Sequence, residues 1–258
     1  MGRLVDLFTQ LFSQLQALLR INERASVPSS TDVSVPSPRV QPAPEVTPVD
    51  KRSAPIPGLS AKRNGAKPNN VWNGFRQGVD GNCVTVSAIK AAMMKFGQSP
   101  TDIYKTVEKV AEGYNVVMRD GFPLTLTHSE LYRAIRGSNF VGLTDPGMLK
   151  DAHFLFACSA KRAQLENNDG LAGRSFEAAI RSLNDGEDED RRRPGEGFMR
   201  LGLKEHMRRV PAHAFADKAL IGMVNRRGHS VAVLEGCEEI YGRKGGRPIG
   251  AEAAIALV

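Results

Sequence analysis

Apolar residues recur three and four positions apart over the first 22 residues, a spacing that places side chains on one face of a helix. These apolar positions are Leu4, Leu7, Phe8, Leu11, Phe12, Leu15, Leu18 and Leu19. The pattern predicts an amphipathic helix over residues 2–22, within an N-terminal segment of residues 1–24. Such a helix can dock on its own domain, on a partner protein or on a membrane. Because Arg3 and Arg20 are its only basic residues, membrane docking is the least favoured.

Large apolar residues become rare from about residue 25 to residue 70, and the composition shifts to Pro, Ser, Thr and Val. Prolines occur at Pro36, Pro38, Pro42, Pro44, Pro48, Pro55 and Pro57. A segment of this composition cannot bury enough apolar surface to offset the entropy that it loses on ordering. We therefore expect residues 25–70 to form a disordered linker and residues 71–258 to form the folded domain.

The apolar periodicity changes from helical to alternating along residues 71–258. It predicts helices over residues 83–96, 100–112, 127–135, 148–166 and 173–183, a charged loop over 186–197, a hairpin of strands 220–224 and 230–234, and a last strand over 253–258. Because helices come first and strands last, the order predicts an α+β fold with helices packed on one small antiparallel sheet.

The composition excludes several classes of protein. Of the 258 residues, 41% are hydrophobic, and no run reaches the roughly 18 apolar residues of a membrane span. The net charge is +7, but the basic run Arg191–Arg193 directly follows the acidic run Glu187–Asp190. The sequence has no basic stripe with interleaved aromatic residues, so nucleic-acid binding is not predicted. No small-residue cleavage site follows the N-terminal apolar positions, so no cleavable signal peptide is predicted.

The three cysteines, Cys83, Cys158 and Cys237, are far apart in the sequence. Their spacing matches neither a zinc site nor a disulfide framework, so no metal or cofactor is predicted. The pattern is typical of reduced thiols in a cytosol-like compartment. Since a thiol reacts as its thiolate, the next question is which cysteine has surroundings that favour the thiolate.

The segment Gln77–Cys83 reads Gln-Gly-Val-Asp-Gly-Asn-Cys and leads directly into the first predicted helix. The amides and the dipole at a helix N-terminus lower the pKa of a thiol, which favours the reactive thiolate. The same amides can hold the oxyanion of a tetrahedral intermediate together with a side-chain amide, for which Gln77 is the candidate. The alternative is a buried cysteine without chemical function, because the neighbours Val84 and Val86 are typical of a core.

A nucleophilic cysteine needs a base that is near it in space, although not in sequence. His229 follows Gly228 and begins the apolar strand Ser230–Leu234, which places its imidazole on a rigid element. None of the other histidines combines a turn with a buried strand in this way; they are His128, His153, His206 and His213. Cys83 and His229 are therefore the predicted nucleophile and base.

The order of Gln77, Cys83 at a helix start and His229 on a late strand resembles the papain-like superfamily of cysteine proteases, which includes bacterial effector proteases and deamidases. The resemblance covers residues 71–258 and implies a papain-like α+β fold. It also implies that Gln77 belongs to the oxyanion hole, that Cys83 is the nucleophile and that His229 is the base. A protein substrate is the implied partner, and this chemistry requires no cofactor.

The papain-like family places Asn or Asp on the strand after the histidine, but this chain has neither residue beyond His229. Glu238 and Glu239 lie beyond a glycine break and can fold back on a neighbouring strand. Asp80 competes with them, because the turn before the nucleophile can bring a short carboxylate close to it. We favour Asp80 as the third catalytic residue, with Glu238 and Glu239 as the alternatives.

The stretch Asp80–Cys83 also partly resembles the ovarian-tumour-type deubiquitinases, in which Asp-Gly-x-Cys precedes a helix. In those enzymes Leu-Phe typically follows the cysteine, whereas Val84 and Thr85 follow it here. This second resemblance implies an isopeptidase that acts on ubiquitin, with Asp80 as the acidic partner.

The predicted function is a cysteine hydrolase that attacks an amide bond, as a protease or a glutamine deamidase. The N-terminal helix and the linker are consistent with a bacterial effector or toxin. It would be made in the bacterial cytoplasm and exported into a target cell without a cleavable signal peptide, and residues 2–22 would contact a chaperone or secretion partner. The alternatives are the isopeptidase and a non-catalytic interaction protein on a hydrolase-like scaffold. The absence of Asn or Asp after His229 favours the non-catalytic protein.

Overall fold

The computed structural model describes residues 55–186 and 194–258. The helices of this part of the chain are α1 (Cys83–Phe96), α2 (Pro100–Ile103), α3 (His128–Gly137), α4 (Pro146–Glu166), α5 (Phe176–Leu183) and α6 (Glu196–Arg200). The strands are β1 (Phe75–Arg76), β2 (Thr106–Val110), β3 (Gly113–Val117), β4 (Pro123–Thr127), β5 (Val141–Gly142), β6 (Met207–Arg209), β7 (Ile221–Arg226), β8 (His229–Leu234), β9 (Cys237–Ile240), β10 (Arg243–Lys244) and β11 (Ala253–Leu257). Three predictions fall outside the described residues: the helix over 2–22, the linker over 25–54 and the part of the charged loop over 187–193.

Six strands form the main sheet, in the order β10–β9–β8–β7–β11–β6, and every neighbouring pair is antiparallel. Helix α1 packs across β7 and β8 in the middle of this sheet. Every residue of the helix from Cys83 to Met93 is buried, so the helix is covered on all sides. The predicted first helix is confirmed, with its start at Cys83 and its end before Gly97.

Strand β8 is apolar along most of its length because both of its faces are buried. Ala232 and Leu234 belong to the core cluster that contains α1, whereas Val231 and Val233 belong to a second cluster around Phe215. Successive side chains of a strand point to opposite faces, which explains this division. The predicted hairpin is confirmed, since β7 and β8 pair antiparallel through a two-residue turn.

Helix α4 connects the helical part of the fold to α1. Its first turn is capped by Asp145, whose carboxylate accepts a hydrogen bond from the Met148 N–H at 2.9 Å. It ends at Asn167, whose φ of +46° places it in the left-handed region. Helices α1, α3, α5 and α6 all pack against it. The predicted helices over 127–135, 148–166 and 173–183 correspond to α3, α4 and α5, and the predicted capping box of Thr127 and Glu130 is present.

The predicted helix over residues 100–112 is wrong beyond its first turn. Helix α2 ends at Ile103, and Thr106–Val110 forms the first strand of a three-stranded antiparallel sheet, β2–β3–β4. Ile103, Val107 and Val110 have helical spacing, but Val107 is buried in a strand paired with β3. Pairing with a neighbouring strand overrides a weak helical pattern, above all for β-branched residues.

The fold class is α+β, as predicted, but the helices pack with three antiparallel sheets and not with one. The third sheet is the short pair of β1 and β5. Both unpredicted sheets lie in the half of the domain that was expected to be helical. The main sheet, which carries the candidate site, lies in the half that was expected to contain the strands.

The described start of the domain corrects the predicted boundary at Val71, because part of the predicted linker packs on the domain. Leu59 is buried, and the Ser60 N–H and hydroxyl donate to the carboxylate of buried Asp151 at 2.8 and 2.5 Å. Gln98 donates to the same carboxylate at 3.0 Å. The Pro-rich composition gave no sign of this packing, because the segment buries few apolar side chains and is held mainly by hydrogen bonds, such as that from the Tyr114 hydroxyl to the Pro57 carbonyl.

Leu59→Ala should lower the free energy of unfolding by about 2–5 kcal/mol, because it removes a buried side chain from the core. The measurement is urea unfolding of the full chain at pH 7. Leu165→Ala is the matched control, since Leu165 is 53% exposed and should change stability by less than about 0.5 kcal/mol. Equal unfolding midpoints for the Leu59 variant and the parent would restore the predicted boundary at Val71.

Candidate active site

A small cavity at the start of α1 brings four of the predicted site residues together. Its lining residues are Gln77, Cys83, Val86, Ser87, His229, Ser230, Glu239 and Tyr241. Its volume is about 10 Å³, which is room for about one water molecule. The predicted nucleophile, the predicted base, the predicted oxyanion-hole glutamine and one of the candidate carboxylates therefore share one enclosure.

The turn before Cys83 is shaped by two glycines that pass close to neighbouring backbone. A Cβ atom at Gly78 would lie 1.9 Å from the carbonyl oxygen of Asn139, and one at Gly81 would lie 2.5 Å from Gly186 Cα. Neither position has room for a side chain. The glycines thus fix the path that delivers Cys83 to the first position of α1, where the helix N-terminus favours a thiolate.

Asp80 lies in the same turn, but two asparagines bind its carboxylate. Asn139 Nδ2 donates to Asp80 Oδ2 at 2.6 Å, and Asn184 Nδ2 donates to the same oxygen at 3.1 Å. Asp80 is not among the residues that line the cavity. These contacts tie the turn to the segments that follow α3 and α5. The structure therefore gives Asp80 a role in holding the turn, and the preference for Asp80 as the partner of His229 has no support from this geometry.

Gln77 lines the cavity and is held by a hydrogen bond within the turn. Its Nε2 donates to the carbonyl oxygen of Asp80 at 2.6 Å. A side-chain amide carries two N–H donors, so this bond fixes the orientation of the amide and leaves the second N–H for another acceptor.

His229 is the first residue of β8 and is half-buried. Its ring stacks on the ring of Tyr241, with 5.2 Å between the ring centres and 14° between the planes. Burial lowers the pKa of His229, the charge of Glu239 opposes this, and weaker contributions of opposite sign come from Arg226 and Glu238. Since the net pKa is lowered, the imidazole is neutral near pH 7, which is the form that a base requires.

Glu239 is the one carboxylate that lines the cavity, and it is 5% exposed. Its Oε1 accepts hydrogen bonds from Lys90 Nζ at 2.9 Å and from the Gly242 N–H at 2.5 Å. Its negative charge raises the pKa of His229. A carboxylate in this position stabilises the imidazolium that forms when the base takes a proton. Glu239 is therefore the best placed of the three candidate carboxylates.

Lys90 is fully buried next to the cavity and was missed by the sequence analysis. Besides Glu239, its Nζ donates to the Trp72 carbonyl oxygen at 3.0 Å and lies 5.0 Å from the centre of the Phe75 ring. Burial lowers the pKa of Lys90, and the charge and hydrogen bond of Glu239 oppose that effect. The signal that could have found Lys90 is its spacing, because it follows Cys83 by about two helical turns and so shares its face.

Glu238, the remaining candidate carboxylate, forms an ion pair with Arg226 and does not line the cavity. Neighbouring residues of a strand point to opposite faces, so Glu238 and Glu239 cannot serve the same site. Four residues that line the cavity were not among the predicted site residues: Val86, Ser87, Ser230 and Tyr241.

The other two cysteines lie outside the cavity. Cys158 is fully buried, and burial raises the pKa of its thiol. Cys237 is half-buried at the start of β9. Over residues 55–186 and 194–258, His, Cys, Asp and Glu side chains form no group of three or more that could hold a metal ion. In the same residues, no helix has the length and apolar character needed to cross a membrane.

Comparison with known proteins gives no match. No protein-family model, curated protein or solved structure matches this chain. The functional assignment therefore rests on the residues and the geometry of the site.

Glu239→Gln should lower the pKa of His229 further, because it removes the negative charge that raises it. The measurement is the rate of Cys83 alkylation by iodoacetamide against pH, and the limb that belongs to His229 should move to lower pH. Asp80→Asn and Glu238→Gln are the matched controls and should move that limb less. A shift with Asp80→Asn but none with Glu239→Gln would make Asp80 the third residue, and no shift in any variant would leave a Cys–His dyad.

Proposed function

We propose that this domain is a papain-like cysteine hydrolase that cleaves an amide bond of a protein, with Cys83 as nucleophile and His229 as base. The shared cavity carries the proposal, because residues from the beginning and the end of the domain line one small enclosure. The nucleophile at a helix start, the neutral histidine and the buried carboxylate are the parts that this reaction needs.

The reaction begins when His229 takes the proton of the Cys83 thiol and becomes an imidazolium. The thiolate then attacks the carbonyl carbon of the amide, and a C–S bond forms. The carbonyl oxygen becomes an oxyanion, which the amides at the start of α1 and the Gln77 side chain stabilise. The C–N bond then breaks, and the leaving nitrogen takes a proton from the His229 imidazolium. Water attacks the resulting thioester, His229 takes the proton of that water, and the carboxylic acid leaves as the thiolate re-forms.

Glu239 serves as the third member, in place of Asp80. Its charge stabilises the imidazolium form of His229, and its bonds to Lys90 and to the Gly242 N–H hold the carboxylate in place. A glutamate here takes the place of the Asn or Asp of the papain-like family. It reaches the site from β9, the strand that follows the histidine strand in sequence.

The identity of the leaving nitrogen separates the possible substrates. A protease releases the amine of a peptide, a glutamine deamidase releases ammonia, and an isopeptidase releases a lysine amine. The isopeptidase alternative was drawn from a motif in which Asp80 is the acidic partner. Because Asn139 and Asn184 hold the Asp80 carboxylate, the contacts favour the protease and the deamidase.

A substrate requires the cavity to open, since about 10 Å³ does not admit an amide group with its flanking atoms. Tyr241 is the most exposed of the lining residues, with 51% of its surface accessible. Of the lining residues, Tyr241 therefore exposes the smallest additional fraction of its surface when its ring moves away from His229. This displacement is the opening step of the proposed reaction.

The second candidate function is a non-catalytic interaction protein on a hydrolase-like scaffold. The small volume of the cavity favours it, because a scaffold has no need to admit a substrate. For either function we retain the proposal of a bacterial effector or toxin. It is made in the cytoplasm and exported without a cleavable signal peptide, with residues 2–22 as the contact for a chaperone or secretion partner.

Iodoacetamide should label Cys83 at least about 10-fold faster than Cys237 in the folded protein, because a helix start and a nearby base favour the thiolate. The rates are measured by mass spectrometry of the alkylated peptides from one reaction. Burial alone predicts the opposite order, since Cys83 is 6% exposed and Cys237 is more accessible. His229→Ala should remove the advantage of Cys83. Faster labelling of Cys237, or no effect of His229→Ala, would favour the scaffold.

Gln77→Ala should lower the turnover of an amide substrate on the order of 100-fold if the Gln77 amide stabilises the oxyanion. The substrate is the best fluorogenic peptide amide from a panel screened with the parent protein. Iodoacetamide alkylation forms no oxyanion, so the labelling rate of Cys83 should stay the same. An equal loss of turnover and of labelling would show that Gln77 acts only by holding the turn through the Asp80 carbonyl.

A further inference from the structure

A groove of about 480 Å³ lies between helices α3 and α5, apart from the cavity of Cys83. The lining residues used below are Tyr132, Arg133, Arg136, Glu177, Ile180 and Arg181. Gly137 closes one end, because a Cβ atom there would lie 2.7 Å from Ile180 Cγ2. The two helices thus touch at this end, and the groove follows their exposed surfaces.

The groove combines an apolar lining with one large exposed ring. Tyr132 is 59% exposed, although its ring could bury a large apolar area. Ile180 is 7% exposed and forms the apolar floor of the groove between the helices. An exposed apolar groove with a polar rim is typical of a surface that contacts a partner.

The charge around the groove is positive. Three arginines face one glutamate, and Arg133 forms an ion pair with that glutamate, Glu177. Arg136 lies over the Tyr132 ring, 5.9 Å from its centre, and the described residues offer neither Arg136 nor Arg181 a carboxylate within ion-pair distance. Within the described residues, these two guanidinium groups can therefore accept a further anion, and guanidinium binds carboxylates through two parallel hydrogen bonds.

The positive surface continues beyond the groove. Arg181 also lines a neighbouring depression of about 210 Å³, together with Arg174, Ser182 and Asp185. A ligand that spans both depressions is longer than a single amino acid. The two depressions share Arg181, so one extended ligand can contact both.

The closed end of the groove is connected to the turn that carries Cys83. The Gly137 carbonyl accepts a hydrogen bond from Asn184 Nδ2 at 2.6 Å, and the same amide nitrogen contacts Asp80 Oδ2 at 3.1 Å. One side chain therefore links the groove to the segment directly before the nucleophile. One end of a peptide bound in the groove would therefore lie close to this turn.

We propose that the groove between α3 and α5 is a docking site for an acidic peptide segment of a partner protein, with one or two apolar residues that cover Tyr132 and Ile180. The carboxylates of that segment pair with Arg136 and Arg181. Such binding does not require Cys83 to be a nucleophile. The partner protein that carries the acidic segment is the substrate if the domain is a hydrolase, and a binding partner if the domain is a scaffold.

The test uses the full chain with Cys83→Ala, so that binding is measured without turnover. A displayed library of random 12-residue peptides is selected on this protein, and the best peptide is titrated by fluorescence anisotropy. The selected peptides should be enriched in Asp and Glu next to an apolar residue. Replacement of their Asp and Glu by Asn and Gln should weaken binding at least about 10-fold, and added salt should weaken it as well.

Arg136→Glu with Arg181→Glu should reduce the affinity at least about 10-fold. The fold should be retained because both side chains are exposed, with a small fall in melting temperature because each arginine lies in the last turn of its helix. Arg208→Glu with Arg209→Glu is the matched control, since it makes the same charge change on exposed residues of β6. Three outcomes would overturn the proposal: no acidic enrichment, equal loss in both double variants, or displacement of the peptide by a random oligodeoxynucleotide at equal concentration. Loss of Cys83 reactivity in the parent protein would refute the hydrolase and leave this result unchanged.

Discussion

The buried ion pair between Lys90 and Glu239 is the contact on which the arrangement of the site depends. It joins α1 to β9 across the interior, where both charged groups are almost completely removed from bulk solvent. Removing two charges from water is costly, and an uncompensated partner is costlier still. Rotation of α1 about its axis would separate the two charges, so the ion pair restricts the orientation of α1 relative to the sheet. Because Cys83 lies on the same helix and Glu239 lines the cavity, this constraint also fixes where the thiol meets the histidine strand.

Asp80, which is close to Cys83 in sequence, and Glu239, which lines the same cavity, have different roles. Asp80 binds the asparagines that follow α3 and α5 and holds the turn, whereas Glu239 lines the cavity and acts on His229 through its charge. The distinction follows from the partners of each group. Two neutral amide donors stabilise a carboxylate in a fixed place, but they provide no path to the imidazole. In this site, one carboxylate holds the backbone turn and another acts on the pKa of His229.

The sequence allowed the residues with local signals to be predicted. The glycine turn and the start of a helix pointed to Cys83, and the short turn before an apolar strand pointed to His229; the two residues line one cavity. The choice between Glu238 and Glu239 could not be made, because it depends on the register of β9 against β8. The strand β2 was missed for the same reason, since Val107 is buried by pairing with β3 and not by its own helical pattern. Residues 55–70 were assigned to the linker because their anchor, Asp151, lies far away in sequence.

The bond between Ser60 and Asp151 has a mechanical consequence. A pulling force applied to the segment before residue 55 reaches Pro57, whose carbonyl accepts a hydrogen bond from the Tyr114 hydroxyl, and then Ser60, which the Asp151 carboxylate holds to α4. Hydrogen bonds loaded one after another break at lower force than bonds loaded together. Traction from the N-terminal side therefore peels the segment off α4 before it strains the main sheet. Most strands of that sheet come late in the chain, so threading from this end would reach Gln77 and Cys83 before it reaches the strands that carry His229 and Glu239.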